Sequence, residues 1–271
     1  MFDLHSHSVY SDGTETPSKV VDIAKESGLS LFALTDHDSI AGVKEAIVRA
    51  KEVSLNLLTG CEMEASFYAV LHLLCLGMDI DDPGFKGVIE RQKEYRLERN
   101  DKLTKLLYSL GYDVAPALNT DCDSVTRAHF AAALVRLGYA SSMNDAYRRI
   151  LGQGCPGYVK QERLSPKEVI DCTKNAGGIV VLAHPMQMKC EPAPMVDELV
   201  SLGIWGIEAH YYNATLGETK LFTSLGKAHG LNITCGSDFH GSTRPEAVIG
   251  GCYDGCDELK RTEEKLYRMF F

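Results

Sequence analysis

Short apolar runs separated by helix-period segments recur along the chain, and this rhythm limits its fold more than any other feature. The runs are Phe2 to His5, Leu31 to Leu34, Asn56 to Thr59, Ala69 to Leu76, Gly178 to Ala183, Gly206 to Ala209 and Ile233 to Gly236. Each has strand length and is bounded by turn-forming residues. Between them lie helical patterns, such as a segment that starts at Pro17 and runs to about Ser27, and another from Ile40 to about Val53. Pro17 suits the first turn of a helix because its missing N–H has no partner there anyway. Strands alternating with helices predict an α/β chain of parallel βαβ units. Seven strands suit a barrel, with an open sheet as the competing arrangement.

The rhythm stops between about Phe85 and Lys160. Arg91 to Leu110 reads as a long charged amphipathic helix, with Leu103, Leu106, Leu107 and Leu110 at helical spacing. Thr126 to Leu137 and Asn144 to Leu151 read as further helices. The expectation is one domain built from residues 1–84 and 161–271, with a helical insertion (cap) of residues 85–160. In a βα-barrel such insertions sit over the catalytic face.

Metal-type residues fall at the C-terminal ends of the apolar runs. His5-Ser6-His7 comes at the first, and residues two apart in an extended segment share a face, so both imidazoles can reach one cation. Asp12 follows in Ser11-Asp12-Gly13. His37 ends the second run, Glu62 follows the third and His72 lies in the fourth. His184 ends the fifth, and Asp238 with His240 ends the seventh, which brings six histidines and three carboxylates to one rim. Taken singly, His72 could be a core residue and Asp12 a turn residue; the joint pattern points to metal. Imidazole with carboxylate suits Mn, Fe or Zn. One ion takes three or four protein ligands. Nine candidates therefore provide for two or three divalent ions, with Glu62 or a hydroxide as bridge.

The same motifs (His5-Ser6-His7 with Ser11-Asp12-Gly13, Thr35-Asp36-His37, Gly60-Cys61-Glu62, His72, Ala183-His184-Pro185 and Gly236-Ser237-Asp238-Phe239-His240) resemble those of the PHP (polymerase and histidinol phosphatase) family of metal-dependent phosphoesterases. They span almost the whole chain, in the family's order. The resemblance implies a distorted seven-stranded βα-barrel with up to three divalent ions. It runs closest to a stand-alone branch whose insertion carries an Arg-x-x-Arg-Asn element, here Arg96, Arg99 and Asn100, and an Arg-Pro-His element, here Arg127-Ala128-His129. Ala128 stands in place of the proline. On this resemblance His5, His7, Glu62 and Asp238 hold a first ion. Glu62 bridges to a second, held also by His72 and His184, and Asp12, His37 and His240 hold a third. Asp36, Asp38 and Glu64 are expected to orient imidazoles, and His210 and His229 belong to no motif.

The expected chemistry is attack on phosphorus by a hydroxide shared between ions. Arg127, and after it Arg99, would bind the substrate phosphate and spread its charge. His129 would donate to phosphate or to the leaving group, and Asp238 would assist proton transfer. The branch implies a nucleotide phosphomonoester, such as a 3′,5′-bisphosphate nucleotide. Alternatives are an exonuclease on short oligonucleotides, a histidinol-phosphate-type phosphatase and a non-catalytic metal-binding module. No G-x-G-x-x-G, G-K-[ST] or G-x-S-x-G element supports nucleotide-cofactor or serine-hydrolase chemistry. The net charge of −9 argues against a broad polyanion surface. Ala69 to Met78, the longest apolar stretch, is well short of the roughly 18 residues a membrane helix needs. The N-terminus has no signal-peptide pattern. Nine cysteines without a C-x-x-C spacing read as reduced thiols, so a cytoplasmic protein with no membrane association is expected, and no protein partner is indicated.

Overall fold

The computed structural model describes residues 1–68 and 70–271, and no side chain is described at Val70. Eight strands and nine α-helices are assigned among the described residues. Strands β1 (Phe2–Asp3), β2 (Leu31–Ala33) and β3 (Asn56–Leu58) form a parallel sheet in that order. Strands β4 (Gly60–Ser66), β5 (Val70–Leu76), β6 (Ile179–Leu182), β7 (Gly206–Tyr211) and β8 (Asn232–Gly236) form the second sheet, again in chain order.

The sheets meet on both sides. After β1, the Leu4 N–H donates to the Cys235 carbonyl, and the Asp238 N–H donates to the His5 carbonyl. After β2, the Asp38 N–H donates to the Glu62 carbonyl of β4. The first and last thirds of the chain thus share one rim.

Two expectations need correction. β4 is a strand that the apolar runs do not predict: Glu62, expected to follow the third strand, lies inside it. Parallel order is also broken, because β5 runs antiparallel to both β4 and β6. β4 ends at Ser66 and β5 starts at Val70, too few residues apart for the crossover helix that a parallel pair would need. Ala69, the expected first residue of the fourth strand, lies outside the described residues.

The helices follow local signals. Thr16 caps α1 (Pro17–Glu26), its hydroxyl accepting from the Lys19 N–H at 3.3 Å. Ser165 and Glu168 form a reciprocal capping box on α6 (Pro166–Asn175). The long helix, α3, spans Pro83–Ser109 and starts well before the expected Arg91; Asp82 caps it and Pro83 takes its first position. Phe85 and Ile89 of α3 pack into the main core with β4 to β8. Leu103 and Leu107, further along, belong to a separate apolar cluster with Phe130 and Leu134 of α4 (Arg127–Arg136) and with Ile150 and Leu151. No helix among the described residues is long and apolar enough to cross a membrane.

Candidate metal centre

Glu62 is the hub of the rim. It is fully buried on β4, and five imidazoles converge on its carboxylate. His72 Nδ1 lies 2.7 Å and His184 Nε2 2.9 Å from Oε1. His37 Nδ1 lies 2.9 Å from Oε2, with His5 Nε2 and His7 Nε2 each at 3.3 Å. Asp238 Oδ1 stands 3.1 Å from His7 Nε2 and 3.5 Å from His5 Nε2. Asp12 Oδ1 stands 3.3 Å from His240 Nε2 and 3.8 Å from His37 Nε2. All nine expected ligands are therefore brought together. Their donor atoms form four overlapping groups: His7–Asp12–His37–His240, His5–His7–Asp238, His5–Glu62–His184 and His37–Glu62–His72, each within 4.8 Å.

Outer partners aim these side chains. Glu208 of β7, fully buried, holds His5 Nδ1 at 3.1 Å and accepts the His184 N–H at 2.7 Å. This leaves His5 Nε2 facing the rim. His240 Nδ1 donates to the Asp238 carbonyl at 2.8 Å, which leaves its Nε2 for the same space. Asp238 Oδ2 accepts from the Tyr211 hydroxyl at 2.6 Å and from Arg244, and Gln187 Nε2 in turn donates to Tyr211 at 2.6 Å. Gly236 is required beneath this arrangement, since a Cβ there would strike Glu208 Oε1 and the Cβ of His5. His184 and Asp238 adopt φ of 25° and 51°, conformations that cost about 1–3 kcal/mol each and are tolerated where the surroundings over-determine them.

The donor set fits divalent cations. His5 Nε2, His7 Nε2, His37 Nδ1, Asp12 Oδ1 and Glu62 Oε2 are buried without a hydrogen-bond partner. Orphaned buried polar atoms are costly, and here they share one small volume. The charges interact strongly. Burial opposes the Glu62 carboxylate, yet His37, His5 and His72 hold it well below the usual range. Burial likewise opposes protonation of His5, but Glu208, Glu62 and Asp238 push it well above an ordinary imidazole. A cation in place of those protons would satisfy the same carboxylates.

A cluster of guanidinium groups gathers elsewhere, around Glu64, and of the expected phosphate-binding residues Arg99 and Arg127 lie by it while His129 does not. Arg163 Nε lies 2.7 Å from Glu64 Oε2, and Arg96 Nη2 lies 3.3 Å from Oε1 while also pairing with Asp38. Arg99 is almost fully buried, and its Nε and Nη1 have no partner. Burial and the charges of Arg96 and Arg127 push its guanidinium down to about 9. Arg127 donates to the Val159 carbonyl at 2.9 Å and stacks over Tyr158. Asp38 and Glu64 thus hold guanidinium groups, not imidazoles as expected. Asp36 accepts from Ser8 and Ser11, and Ser11 Oγ sits 3.4 Å from His7 Nδ1. His129 Nδ1 accepts the Thr126 N–H at 3.0 Å as part of a capping box, and its Nε2 faces Cys122 Sγ at 3.6 Å. Thr126 Oγ1 donates to Asp12 Oδ2 at 2.9 Å, which ties the start of α4 to the rim.

Comparison with known proteins agrees with the geometry. The model of the PHP domain matches residues 3–143. A 5'-3' exoribonuclease of Haemophilus influenzae is 35% identical over 247 residues, 88% of this chain and 89% of the relative. The chain belongs to the PHP family. A 3',5'-nucleoside bisphosphate phosphatase of Chromobacterium violaceum is 32% identical, covering 88% of the PHP chain described here and 86% of its own length. A solved structure from Bifidobacterium adolescentis, provisionally designated a metal-dependent phosphoesterase, superposes with a TM-score of 0.86 at 28% identity, over 98% of this chain and 96% of that one. This PHP protein is a metal-dependent hydrolase of phosphoric esters.

Sequence reasoning missed Glu208, Tyr211, Arg163 and Arg244. Glu208 carried a usable signal, a carboxylate inside the apolar run Gly206-Ile207-Glu208-Ala209. The other three lie outside any motif.

Proposed function

We propose that this PHP chain hydrolyses the phosphomonoester of a nucleotide, with a 3′,5′-bisphosphate nucleotide as the preferred substrate. The observation that carries this reading is the buried guanidinium cluster around Glu64, two residues along β4 from the metal hub. Arg96, Arg99 and Arg163 keep buried N–H groups without partners, and Arg127 lies at the same cluster. Paired guanidinium forks suit phosphate oxygens. The Chromobacterium relative supports a bisphosphate substrate, and the Haemophilus relative supports a second reading, removal of nucleotides from short RNA by the same centre.

We assign His5, His7, Glu62 and Asp238 to one ion, Glu62, His72 and His184 to another, and Asp12, His37 and His240 to a third, with Mn, Fe or Zn as the candidates. Divalent ions bound there would polarise phosphoryl oxygens and lower the pKa of bound water. Arg99 and Arg127 orient the phosphate and neutralise its equatorial oxygens. Asp238 is held in its ionised form: burial opposes this, but His5, His240 and Arg244 hold its carboxyl low, which suits it to hold a cation rather than to donate a proton. Because His129 Nδ1 accepts a backbone N–H, the neutral ring carries its proton on Nε2, and that N–H is the donor to a phosphate oxygen. We count β3 and β4 as one strand bent at Thr59, which gives a seven-stranded closed ring, and read residues 85–160 as a cap over its rim. Nine free cysteines support a cytoplasmic setting.

The deciding experiment is a panel of nucleotide mono- and bisphosphates, histidinol phosphate and 5′-phosphorylated short RNAs, assayed with Mn. Fastest turnover on a 3′,5′-bisphosphate nucleotide supports the main reading. Higher kcat/KM on RNA substitutes the second, and no turnover on any of them rejects both.

A further inference from the structure

We propose that His210, Asp254 and Cys256 form a separate cation site of zinc type, outside the phosphoesterase centre. Its origin is an irregularity in β7. There Glu208 pairs with Thr234 and His210 pairs with Cys235, so Ala209 is an extra residue. One extra residue reverses the facing of the rest of the strand. Glu208 therefore points at His5 in the rim, and His210, two residues later, points to the other side of the strand.

On that side His210 meets the segment leading into α9 (Asp257–Phe270). Asp254 Oδ2 lies 3.5 Å from His210 Nδ1, and Cys256 Sγ lies 3.9 Å from Nε2. One donor atom from each of the three residues falls within 4.8 Å of the others. Tetrahedral zinc has Zn–N of about 2.0 Å and Zn–S of about 2.3 Å, which sets ligand atoms roughly 3.3–3.7 Å apart. The two closest contacts use opposite ring nitrogens, and only one of them can face the ion, so binding requires the imidazole or the Asp254 carboxylate to turn until all three donors, now within 4.8 Å of one another, meet at one point. The His210 side chain is 11% exposed, and a cavity of about 310 Å³, lined by His210, Tyr212, Glu246 and Cys252 among others, opens beside it. This leaves an entry path and a fourth position for water or for the Cys252 thiol. Cys256 occupies the N-cap of α9, where the helix dipole favours a thiolate. Burial and the neighbouring Asp254 push the metal-free thiol up, so an incoming cation must displace its proton.

The chemistry separates this site from the rim. A sulfur ligand with imidazole and carboxylate selects zinc or cobalt over manganese or magnesium. The nine rim ligands include no cysteine. A cation held by His210, Asp254 and Cys256 would fasten the start of α9 to β7.

The test uses the full chain, stripped with chelator and titrated with Co(II). A thiolate-to-cobalt charge-transfer band in the near ultraviolet can arise only where a cysteine binds the ion. The wild type should show it, Glu62→Gln should keep it, and Cys256→Ser should lose it. His210→Ala should lose most of it, and Asp254→Asn should need at least about tenfold more cobalt for half the signal, the scale seen when a ligand's support is removed. Cys256→Ala, checked by circular dichroism for native fold, guards against a folding defect in the serine variant. Absence of the band in the wild type at saturating cobalt overturns the proposal. So does a band that survives Cys256→Ser but disappears in Cys122→Ser, which would put the thiolate beside His129.

Discussion

Glu62 and Glu64 stand two residues apart on the same strand and face, yet their surroundings are opposite. Glu62 is ringed by imidazoles, whose ring nitrogens can ligate metal when a cation displaces their protons. Glu64 is ringed by guanidinium groups, which keep their charge and ligate nothing. The first environment is short of permanent positive charge and suits cations. The second holds Arg96, Arg99, Arg127 and Arg163 near only Glu64 and Asp38, and suits anions. On the proposed function, one strand would present metal and substrate phosphate side by side, with the partner residues, not the carboxylates, deciding which ion goes where.

The largest test of this contrast is Glu62→Gln. It should strip metal from the rim and lower kcat/KM by at least about 4 kcal/mol, the scale of lost Lewis-acid stabilisation. Metal analysis showing full occupancy with unchanged turnover would remove Glu62 from the centre. Glu64→Gln should do the converse: metal content holds, while kcat/KM falls by about 2–5 kcal/mol because Arg96 and Arg163 lose a buried partner. Loss of metal in that variant would merge the two sites. Arg127→Ala should lower kcat/KM by about 2–4 kcal/mol with metal retained, as for a charged donor to the transition state; unchanged kinetics would exclude that contact.

A pH experiment separates the two environments without mutation. Burial opposes the protonated His37 ring, but Glu62 and Asp12 raise it from 6.5 to about 10. In chelator-treated protein this stabilisation is complete below pH 6.5 and is lost as pH rises towards 10. Melting temperature should fall over that window. Metal-loaded protein should lose its metal as pH drops, because protons compete for the same nitrogens. Parallel curves for the two forms would mean that metal and proton do not share these sites. The smallest effect is on Arg99. Arg99→Met should leave folding stability unchanged or raise it by about 1 kcal/mol, since a buried unpaired charge is removed. Inorganic phosphate should raise the melting temperature of the wild type and not of this variant. Equal shifts would place the phosphate elsewhere.

Much of the rim was legible because His5-Ser6-His7 and Asp238-Phe239-His240 put candidate ligands on alternate positions at strand ends, a local pattern. The direction of β5 was not, because apolar periodicity is the same read either way. Glu208 stood out as a carboxylate inside an apolar run, but its role needed the contact with His5, 203 residues away. The early start of α3 had its signals in Asp82 and Pro83, but Gly84 and Gly87 weaken the first turn and hid them. Arg96 and Arg99 could be placed by motif. That they oppose Glu64 and Asp38 depends on how α3 crosses β4, which no local spacing encodes.

The seam between the two sheets also has a consequence for the protein's birth. His5 and Ser237 are hydrogen-bonded across 232 residues of chain, and Asp238 lies one step beyond. At about 5–20 residues per second, roughly 10–50 s of synthesis separates the first rim histidine from the last ligands. Throughout that interval the nascent chain displays a bare His5-Ser6-His7 with no carboxylate from the far end to complete it. On the proposed ligand assignment, the set that includes Asp238 and His240 is complete only once the ribosome has passed residue 240, so the metal supply would meet a folded receptacle and the choice of ion would reflect the finished cage.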